Sequence, residues 1–417
     1  MMRTLAGLVA IAAIAVAPRV ARGAGFELGE ESAAATGMVG AFVAKADDPS
    51  ALFYNPAGLA KLRGPQVYVG GMLIVGRVQA KSTPDFTLAG SPQDADTTTV
   101  FIPNLYASWG FAHDVAVGLG AFTNFGLQAT WPNWAGRYES TYARLESITL
   151  NPSVAWRPVS WFSFGAGFDV TFGRVDLRRD ENLVTSDANI RFNGNAVGFG
   201  GNVGVLFEIP RKGKMPPLSI GASYRSRYNM NFDQGALFVT APPEFSSTLH
   251  SANASASLAI PDVVLVGVGV RPLDPLFLQV QFDWSNWSRL QSLQLNVPSD
   301  PALNLTIPES WHDGYTLRVG GEYVFGKWTA RAGVGYDWSP APANTLSPTI
   351  PDSSRWLVSA GTAVNLPSGF VLEASMMGVI FNSRRSELPE LPVEYSSYAL
   401  LFSVGASYRT NRVAVTY

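Results

Sequence analysis

The chain has 417 residues, a formal net charge of −2, 15% charged residues, 12% aromatic residues and no cysteine. A near-neutral balance argues against nucleic-acid binding, which usually shows as a basic surplus, and a chain without cysteine has neither disulfides nor thiolate metal sites. His113, His250 and His312 are too far apart in sequence to indicate an imidazole metal site. Few charges, many aromatics and 40 glycines instead favour strands that face lipid on one side.

The N-terminus has the organisation of a secretory signal peptide. Arg3 precedes an apolar run at 5–17, and "ARG" at 21–23 supplies the small residues of a cleavage site. The run is too short for a transmembrane helix, and no later segment approaches 18 consecutive apolar residues. We therefore predict a signal peptide at residues 1–23 and a mature N-terminus at Ala24. If the protein enters a membrane, it must do so as a closed β-barrel.

The stretch "DDPSALFYNPAG" at 47–58 is rich in turn-forming residues around a short apolar patch. It follows the leader and precedes the first strand, so we interpret residues 24–65 as a hatch that plugs the barrel. A barrel of about fourteen strands encloses a space wider than its own side chains fill. Leu52, Phe53 and Leu59 can pack inside such a barrel, whereas a disordered periplasmic linker, the alternative, would leave them in water.

The rest of the chain has a hydrophobic period of two. In "WTARAGVGYDW" (328–338) apolar residues alternate with polar or small ones, and "FSFGAGFDVTF" (162–172) and "YTLRVGGEYVF" (315–325) alternate in the same way. Strands of about 10–18 residues exceed the usual globular length. Aromatics such as Trp328 and Trp338 lie at the strand ends. Both features favour an outer-membrane barrel over a soluble sandwich.

We predict an all-β transmembrane protein. It is an antiparallel outer-membrane β-barrel of about fourteen strands at residues 66–417, with a small N-terminal hatch that contains short helices. The predicted strands begin near Gln66, Thr98, Asp114, Ala143, Trp161, Asn195, Leu218, His250, Leu276, Tyr315, Trp328, Arg355, Phe370 and Ser397. Short turns join them at one end, and longer polar loops are expected at the other, at 81–97, 131–142, 177–194, 234–249, 297–313, 340–353 and 383–396. Short periplasmic turns and long external loops are the asymmetry of such barrels.

Strand parity turns a mixture of side chains toward the inside of the barrel. The polar candidates are Asp169, Asp283, Arg318, Glu322, Arg331, Asp337 and Glu373, and the apolar ones are Phe122, Phe277, Val324, Val371, Met377 and Val379. We expect the charges to pair for structural reasons, in the sets Arg318/Glu322 and Arg331/Asp337, although an arginine fork also suits a substrate carboxylate. The apolar side chains either fill a narrow barrel or line a pocket for a hydrophobic ligand.

The stretch "VAVGLGAFTNFGLQATW" (115–131) resembles an interrupted strand. It carries three glycines, among them Gly126, and has Asn124 beside Phe125. Glycine inside a strand weakens it and often marks a bulge. A bulge here could leave a lateral gap toward the membrane, whereas the alternative is an ordinary glycine-rich strand.

The sequence gives little support for an enzyme. The chain has no GxSxG motif, and "GFGGNVG" lies inside a strand with no following helix, so it is not a phosphate loop. The lumen carboxylates could form an acid–base pair, but ion pairing explains them at least as well. We therefore expect neither catalysis nor a cofactor.

Several segments follow one another along most of the mature chain in a characteristic order. They are "AGFELGEESAAATGMVGAFVAKADDPSALFYNPAGL", "FGLQATW" followed by "WAGRY", "FNGNAVGFGGNVGVLFEI", "YRSRYNMNF", "LAIPD", "WSNWSRLQ" and "YDWSPAPANTLSPTIPDSSRWLVSAG". Their collinear order resembles the FadL-type outer-membrane transporters of long-chain fatty acids and other hydrophobic compounds.

The resemblance implies a plugged fourteen-stranded barrel that transports hydrophobic substrates passively, without ATP or cofactor, and releases them sideways at a kink in the third strand. It implies that Ala24, Gly25, Phe26 and Leu28 reach toward the binding pocket, and that Asn55, Pro56 and Ala57 belong to the hatch. The kink is expected at Phe122–Gly126, centred on Asn124, Phe125 and Gly126. Phe122, Arg157, Phe277 and Asp337 are further expected ligand-binding or gating residues.

The resemblance implies long-chain fatty acids as substrate. The alternative is uptake of aromatic or alkane hydrocarbons, and a general porin or an adhesin is less favoured. The expected location is the outer membrane of a Gram-negative bacterium, with outer-membrane lipid, lipopolysaccharide and the barrel assembly machinery as partners and no nucleic acid. The loop near 177–194 is shorter than the helical loop that builds an external groove in related transporters. We therefore expect that groove to be reduced, or rebuilt from the loop at 234–249.

Overall fold

The computed structural model describes residues 25–111, 114–213 and 215–410. The predicted signal peptide, Ala24 and the chain after Thr410 lie outside the described residues. No helix within those ranges is long and apolar enough to cross a membrane.

Fourteen antiparallel strands form the wall of a closed barrel within the described residues, as predicted. They are β1 (Gly64–Lys81), β2 (Thr98–Gly110), β3 (Val115–Phe122 and Leu127–Thr130), β4 (Tyr142–Val159), β5 (Phe162–Asn182), β6 (Asp187–Ile209), β7 (Leu218–Arg225 and Tyr228–Thr240), β8 (Ala252–Ile260 and Val263–Leu273), β9 (Leu276–Ser285), β10 (Gly314–Phe325), β11 (Trp328–Trp338), β12 (Arg355–Asn365), β13 (Phe370–Phe381) and β14 (Glu394–Arg409). Each strand pairs with the next along the chain. Pairing of β14 with β1, from Gln66↔Arg409 to Lys81↔Glu394, closes the barrel.

The alternation in sequence decides which side of the wall each residue faces. In β10, Leu317 and Val319 are 43% and 42% exposed, whereas Arg318 and Glu322 are each 7% exposed. Large apolar side chains therefore cover the outside of the wall, and polar ones face the inside. This is the reverse of a soluble sandwich and the arrangement expected in lipid.

The part of the predicted hatch that lies before β1, residues 25–63, occupies the inside of the barrel with short elements. These are α1 (Ala33–Thr36), α2 (Ala51–Tyr54) and a 3-10 helix (Pro56–Lys61). Polar side chains fix their starts. Ser32 Oγ accepts a hydrogen bond from Ala35 N at α1, and Asn55 Oδ1 accepts one from Ala57 N at the 3-10 helix.

The predicted hatch motif packs directly against the wall. Asn55 Nδ2 donates a hydrogen bond of 3.0 Å to the carbonyl of Val205 in β6. A Cβ on Gly165 in β5 would lie 2.5 Å from the backbone of Pro56, and one on Gly204 in β6 would lie 2.1 Å from Asn55. Only glycine allows the hatch backbone to approach the two strands so closely.

The buried charges pair, as expected, but with different partners. The ion pairs include Arg318–Asp283 (2.7 Å), Arg318–Glu30 (3.0 Å), Arg331–Glu322 (2.8 Å), Arg331–Glu373 (3.0 Å), Arg355–Asp337 (2.6 Å), Lys45–Glu322 (3.4 Å) and Arg225–Asp169. The predicted sets Arg318/Glu322 and Arg331/Asp337 are therefore wrong. Parity indicates the face on which a residue lies, but it does not indicate which neighbouring strand or hatch residue the side chain reaches.

The prediction of a polar loop at 177–194 is also wrong. β5 continues to Asn182 and β6 begins at Asp187, well before the predicted start near Asn195. The two strands extend as a hairpin beyond the apolar band, and charged side chains there replace the apolar ones on the outward face. A second hairpin lies in the loop after β9, where Ser292–Asn296 pairs with Leu305–Pro308 and with the upper part of β8.

Candidate functional site

The wall is interrupted in β3, within the predicted kink. Residues 123–126, which we call the β3 break, separate the two segments of this strand. Pairing between β2 and β3 begins at Leu105↔Ala121 and runs to Gly110↔Ala116, so the extracellular half of β2 lacks a regular ladder to β3 among the described residues. An unpaired stretch between two wall strands is unusual in a barrel, because lipid offers no hydrogen bonds to free backbone groups.

The N-terminal end of the hatch, residues 25–31, supplies backbone partners to the β3 break. Leu28 N donates to the carbonyl of Asn124 at 2.9 Å, and Gly126 N donates to the carbonyl of Phe26 at 3.2 Å. Between these bonds, Glu27 and Phe125 form an antiparallel bridge. The N-terminal segment therefore pairs with the break from inside the barrel, as a short added strand would.

An aromatic cluster holds the end of the N-terminal segment. The Phe26 ring lies 4.5 Å from the Trp287 ring, 5.9 Å from Trp311 and 6.1 Å from Phe125, measured between centroids. Gly25 has φ of +57°, and a Cβ there would lie 2.6 Å from the Trp311 ring. Position 25 thus needs glycine both for its backbone conformation and for its close approach to the indole.

A cavity of about 430 Å³, which we call the central cavity, lies beside the N-terminal segment and the β3 break. Its apolar lining comes from the hatch, from the segment after the break and from the last barrel strands, and includes Phe26, Leu28, Leu127, Leu357, Met377, Val379 and Leu401. On the membrane side it reaches Phe101 and Ile148, which are 62% and 42% exposed on the outer wall. One cavity therefore touches the lumen, the N-terminal segment and the lipid-facing surface.

The structure brings some of the predicted site residues together and separates others. Gly25, Phe26, Leu28, Gly126 and Asp337 line the central cavity, and Asn124 and Phe125 line a small cavity next to it. Phe122 is instead buried against Phe53 of the hatch, and Asn55, Pro56 and Ala57 are buried at the hatch–wall contact. Arg157 and Phe277 line a separate cavity at the periplasmic end, where Arg157 contacts Glu208 at 3.5 Å.

The arginines that line the central cavity are already paired. Arg318 contacts Asp283 and Glu30, Arg355 contacts Asp337, Arg77 contacts Asp94 at 2.7 Å, and Arg144 contacts Glu146. Six carboxylates line the same space: Glu27, Glu30, Glu146, Asp283, Asp337 and Asp352. Within the described residues, the cavity therefore presents more carboxylates than guanidinium groups.

Burial moderates this negative charge at two positions outside the spanning strands. Desolvation raises the pKa of Glu27 in the hatch to about 7, although Ser285 Oγ donates a hydrogen bond of 2.7 Å to its carboxylate. Desolvation likewise raises the pKa of Asp352, in the loop before β12, to about 6. Part of each carboxyl population is thus uncharged near neutral pH.

A family model described as outer membrane protein transport protein (OMPP1/FadL/TodX) matches residues 14–410. The chain belongs to this family. The long-chain fatty acid transport protein of Salmonella typhi is 27% identical over 435 residues, which cover 95% of this chain and 96% of that protein. The protein of the same name from Escherichia coli O6:H1 is 27% identical over 386 residues, 84% of this chain and 85% of its own.

Solved structures of the FadL/TodX family share the fold. A Pseudomonas aeruginosa FadL homologue superposes with a TM-score of 0.82 at 22% identity, covering 93% of this chain and all of that one. The toluene transporter TodX of Pseudomonas putida has a TM-score of 0.72 at 15% identity, covering 94% of this chain and all of that one. The family consists of transport channels and not of enzymes. This chain is accordingly an outer-membrane transporter of a Gram-negative bacterium, in a family that carries long-chain fatty acids or hydrophobic aromatics.

Sequence reasoning missed several residues that build the candidate site. Trp287 lies in the quoted segment "WSNWSRLQ", which signalled the family but gave it no role. No sequence pattern pointed to Trp311, because it reaches Phe26 only where the loop before β10 returns into the barrel. Glu27 and Arg355 carry no recognisable motif, and their importance follows from burial and from the partners described above.

Proposed function

We propose that this chain carries long-chain fatty acids passively from the cell exterior into the outer membrane, through a barrel (residues 66–417) plugged by a hatch (24–65) after removal of the signal peptide (1–23). The N-terminal segment acts as the gate, and the β3 break acts as a lateral exit. The observation that carries this proposal is the pairing of residues 26–28 with the break. The same backbone groups that hold the segment in place close the gap in the wall.

Release of the N-terminal segment would join the central cavity to the lipid. Leu28 and Phe26 line the cavity on one side, and Phe101 and Ile148 mark its outer edge. A hydrophobic molecule on this route moves between apolar surfaces and need not enter water. Its own concentration gradient is then a sufficient driving force.

Arg318 is the cation best placed to receive a fatty-acid carboxylate. It is 7% exposed, and Glu30 of the hatch binds its Nη1 at 3.0 Å. An unpaired buried arginine is costly. If the N-terminal segment withdraws and takes Glu30 with it, a substrate carboxylate can replace that carboxylate on the guanidinium.

Uncharged aromatic or alkane hydrocarbons are the second candidate, favoured by a specific observation. Each arginine along the central cavity already contacts a carboxylate, and carboxylates are in excess there. A neutral hydrocarbon needs no displacement of an ion pair, whereas a carboxylate substrate does.

Uptake in proteoliposomes separates these candidates. We expect saturable uptake of oleate, and saturable uptake of toluene alone would favour the second candidate. Equal, unsaturable entry of small sugars would overturn both in favour of a general porin. Deletion of residues 24–30 should change uptake while leaving a heat-resistant folded barrel, and unchanged uptake would exclude the gating role of the N-terminus.

A further inference from the structure

The outward faces of β4, β5 and β6 change from apolar to charged at one height. Ile148, Phe172 and Val197 lie side by side on these strands and are 42%, 45% and 46% exposed. The next three outward rows toward the extracellular end are Glu146, Arg174 and Asn195, then Arg144, Asp176 and Asn193, then Tyr142, Arg178 and Arg191. Four arginines therefore lie directly above the lipid-facing band, at the level of the head groups.

These arginines surround a cavity of about 240 Å³ on the outer wall. We call Arg144, Arg174, Arg178 and Arg191 the arginine cluster. Asp176 accepts hydrogen bonds from Arg178 at 2.9 Å and from Arg191 at 2.7 Å, and Arg144 contacts Glu146. Two carboxylates thus serve four guanidinium groups, and the cavity keeps a positive surplus.

Arg174 is the unsatisfied member of the cluster. Among the described residues its guanidinium has no ion pair or hydrogen-bond partner, although Glu146 lies opposite it in the strand register. Asp233 lines a neighbouring groove together with Arg174 without an ion pair to it, and the surplus stays positive when this carboxylate is included. Nearer the tip of the hairpin the arginines have acidic partners, since Arg137 of the loop before β4 pairs with Asp187 at 2.8 Å and Arg179 pairs with Glu181 at 2.8 Å.

We propose that the arginine cluster binds the phosphate groups of the phosphorylated glycolipid of the outer leaflet, the lipid A part of lipopolysaccharide. Guanidinium forks match phosphate oxygens in bidentate geometry, and a phosphate can satisfy Arg174 without breaking the Asp176 pairs. The acyl chains of the glycolipid would then lie along Ile148, Phe172 and Val197. Because Arg144 and Glu146 also line the mouth of the central cavity, this lipid would border the β3 break.

Native mass spectrometry of the purified full-length barrel in detergent with EDTA tests the site with lipids added one at a time. The probes are diphosphoryl lipid A, lipid A stripped of phosphate and phosphatidylglycerol, and inorganic phosphate serves as competitor. We expect diphosphoryl lipid A to be retained preferentially. Arg174→Gln should weaken retention at least about tenfold, which corresponds to about 1.4 kcal/mol, through the loss of one charge-assisted contact. Arg211→Gln, which removes the same charge from an exposed periplasmic turn, is the matched control and should bind as wild type.

Each other outcome overturns the proposal. Equal retention of phosphate-free lipid A by the wild-type barrel would exclude phosphate recognition, and this arm does not depend on how a variant folds. Equal retention of phosphatidylglycerol would reduce the cluster to a general anionic-lipid surface, and displacement by millimolar inorganic phosphate would make it a free-phosphate site. Equal binding of diphosphoryl lipid A by Arg174→Gln and by wild type would show that Arg174 does not contact the phosphate.

Discussion

Glu309 orients the tryptophan against which the N-terminal segment packs. Its Oε2 accepts a hydrogen bond of 3.0 Å from Trp311 Nε1, and its main-chain oxygen accepts one of 2.6 Å from Thr345. The side chain is 3% exposed and lies in the loop before β10. Burial raises its pKa from 4.5 to about 8, since desolvation disfavours the carboxylate more than the indole hydrogen bond favours it. The ring beside Gly25 thus depends on a carboxyl that is largely protonated at neutral pH.

A raised carboxyl pKa makes the fold more stable at low pH. Between pH 4.5 and about 8 the unfolded chain has lost the Glu309 proton while the folded chain keeps it, so the free energy of unfolding falls as the pH rises through this window. The Glu309→Gln side chain has no titrating proton, and its amide oxygen can still accept the hydrogen bond from Trp311 Nε1. Thermal unfolding at pH 5 and pH 9 should therefore show a smaller loss of Tm for Glu309→Gln than for wild type. Identical pH slopes would contradict the burial argument.

At the scale of the element, two residues of β3 account for the interruption of this strand. Phe122 ends the first segment by packing inward against the hatch, and Gly126 lets the second segment begin close to Leu28. A Cβ on Gly126 would lie 3.2 Å from Leu28 Cδ1, at the edge of the central cavity. Extra volume at this position therefore enters the space between the N-terminal segment and the membrane.

Gly126→Val should reduce uptake without preventing insertion. The added methyl groups obstruct the path beside Leu28, and a barrier higher by about 1.4 kcal/mol slows passage about tenfold, so we expect uptake to fall by about tenfold. Gly378→Val in β13 is the matched control, since the nearest atom to a Cβ there is 4.0 Å away. Initial uptake rates should be normalised to heat-resistant barrel in the membrane. Equal rates for the two variants would mean that the substrate does not pass the break.

The elements were predictable where local pattern and environment agree. A period of two marks the wall strands, and Trp328 and Trp338 mark the ends of β11, because lipid imposes that pattern on each strand separately. The pattern failed for the β5–β6 hairpin, where strands continue above the lipid with charges on the outward face. It also could not find Trp311 or the Glu30–Arg318 pair, since both arise from segments distant in sequence that meet only inside the closed barrel.

At the scale of the molecule, the hatch body and the N-terminal segment are held differently. The body is tied to the wall by Asn55, by close contact with wall glycines and by the Lys45–Glu322 ion pair. The N-terminal segment is joined to the β3 break by two backbone hydrogen bonds and by ring contacts, and to the wall by the Glu30–Arg318 ion pair and the Ser285–Glu27 hydrogen bond. Opening the segment alone breaks far fewer interactions than withdrawing the whole hatch, so we expect the body to stay in place during transport.

A chain without cysteine allows this expectation to be tested with two engineered disulfides. Glu27 and Phe125 are bridge partners between two flanking hydrogen bonds, a non-hydrogen-bonded pair in which Cα atoms lie about 4.5 Å apart. That spacing suits a disulfide. Thr36 of the hatch body and Ser403 of β14 point their side chains at each other, with 3.1 Å between the two hydroxyl oxygens, so cysteines at these positions are placed to form a second disulfide. One pair locks the gate, and the other locks the body.

Oxidised Glu27→Cys/Phe125→Cys should lose uptake, because the substrate then meets a gate that cannot leave the β3 break, and reduction should restore it. Oxidised Thr36→Cys/Ser403→Cys should keep uptake, because the body need not move. Oleate and toluene uptake into proteoliposomes, before and after dithiothreitol, measures both, with cross-linking followed by gel mobility. The reduced form of each variant is its own control for the substitutions. Loss of uptake only when the body is locked would reverse the assignment and make the whole hatch the moving part.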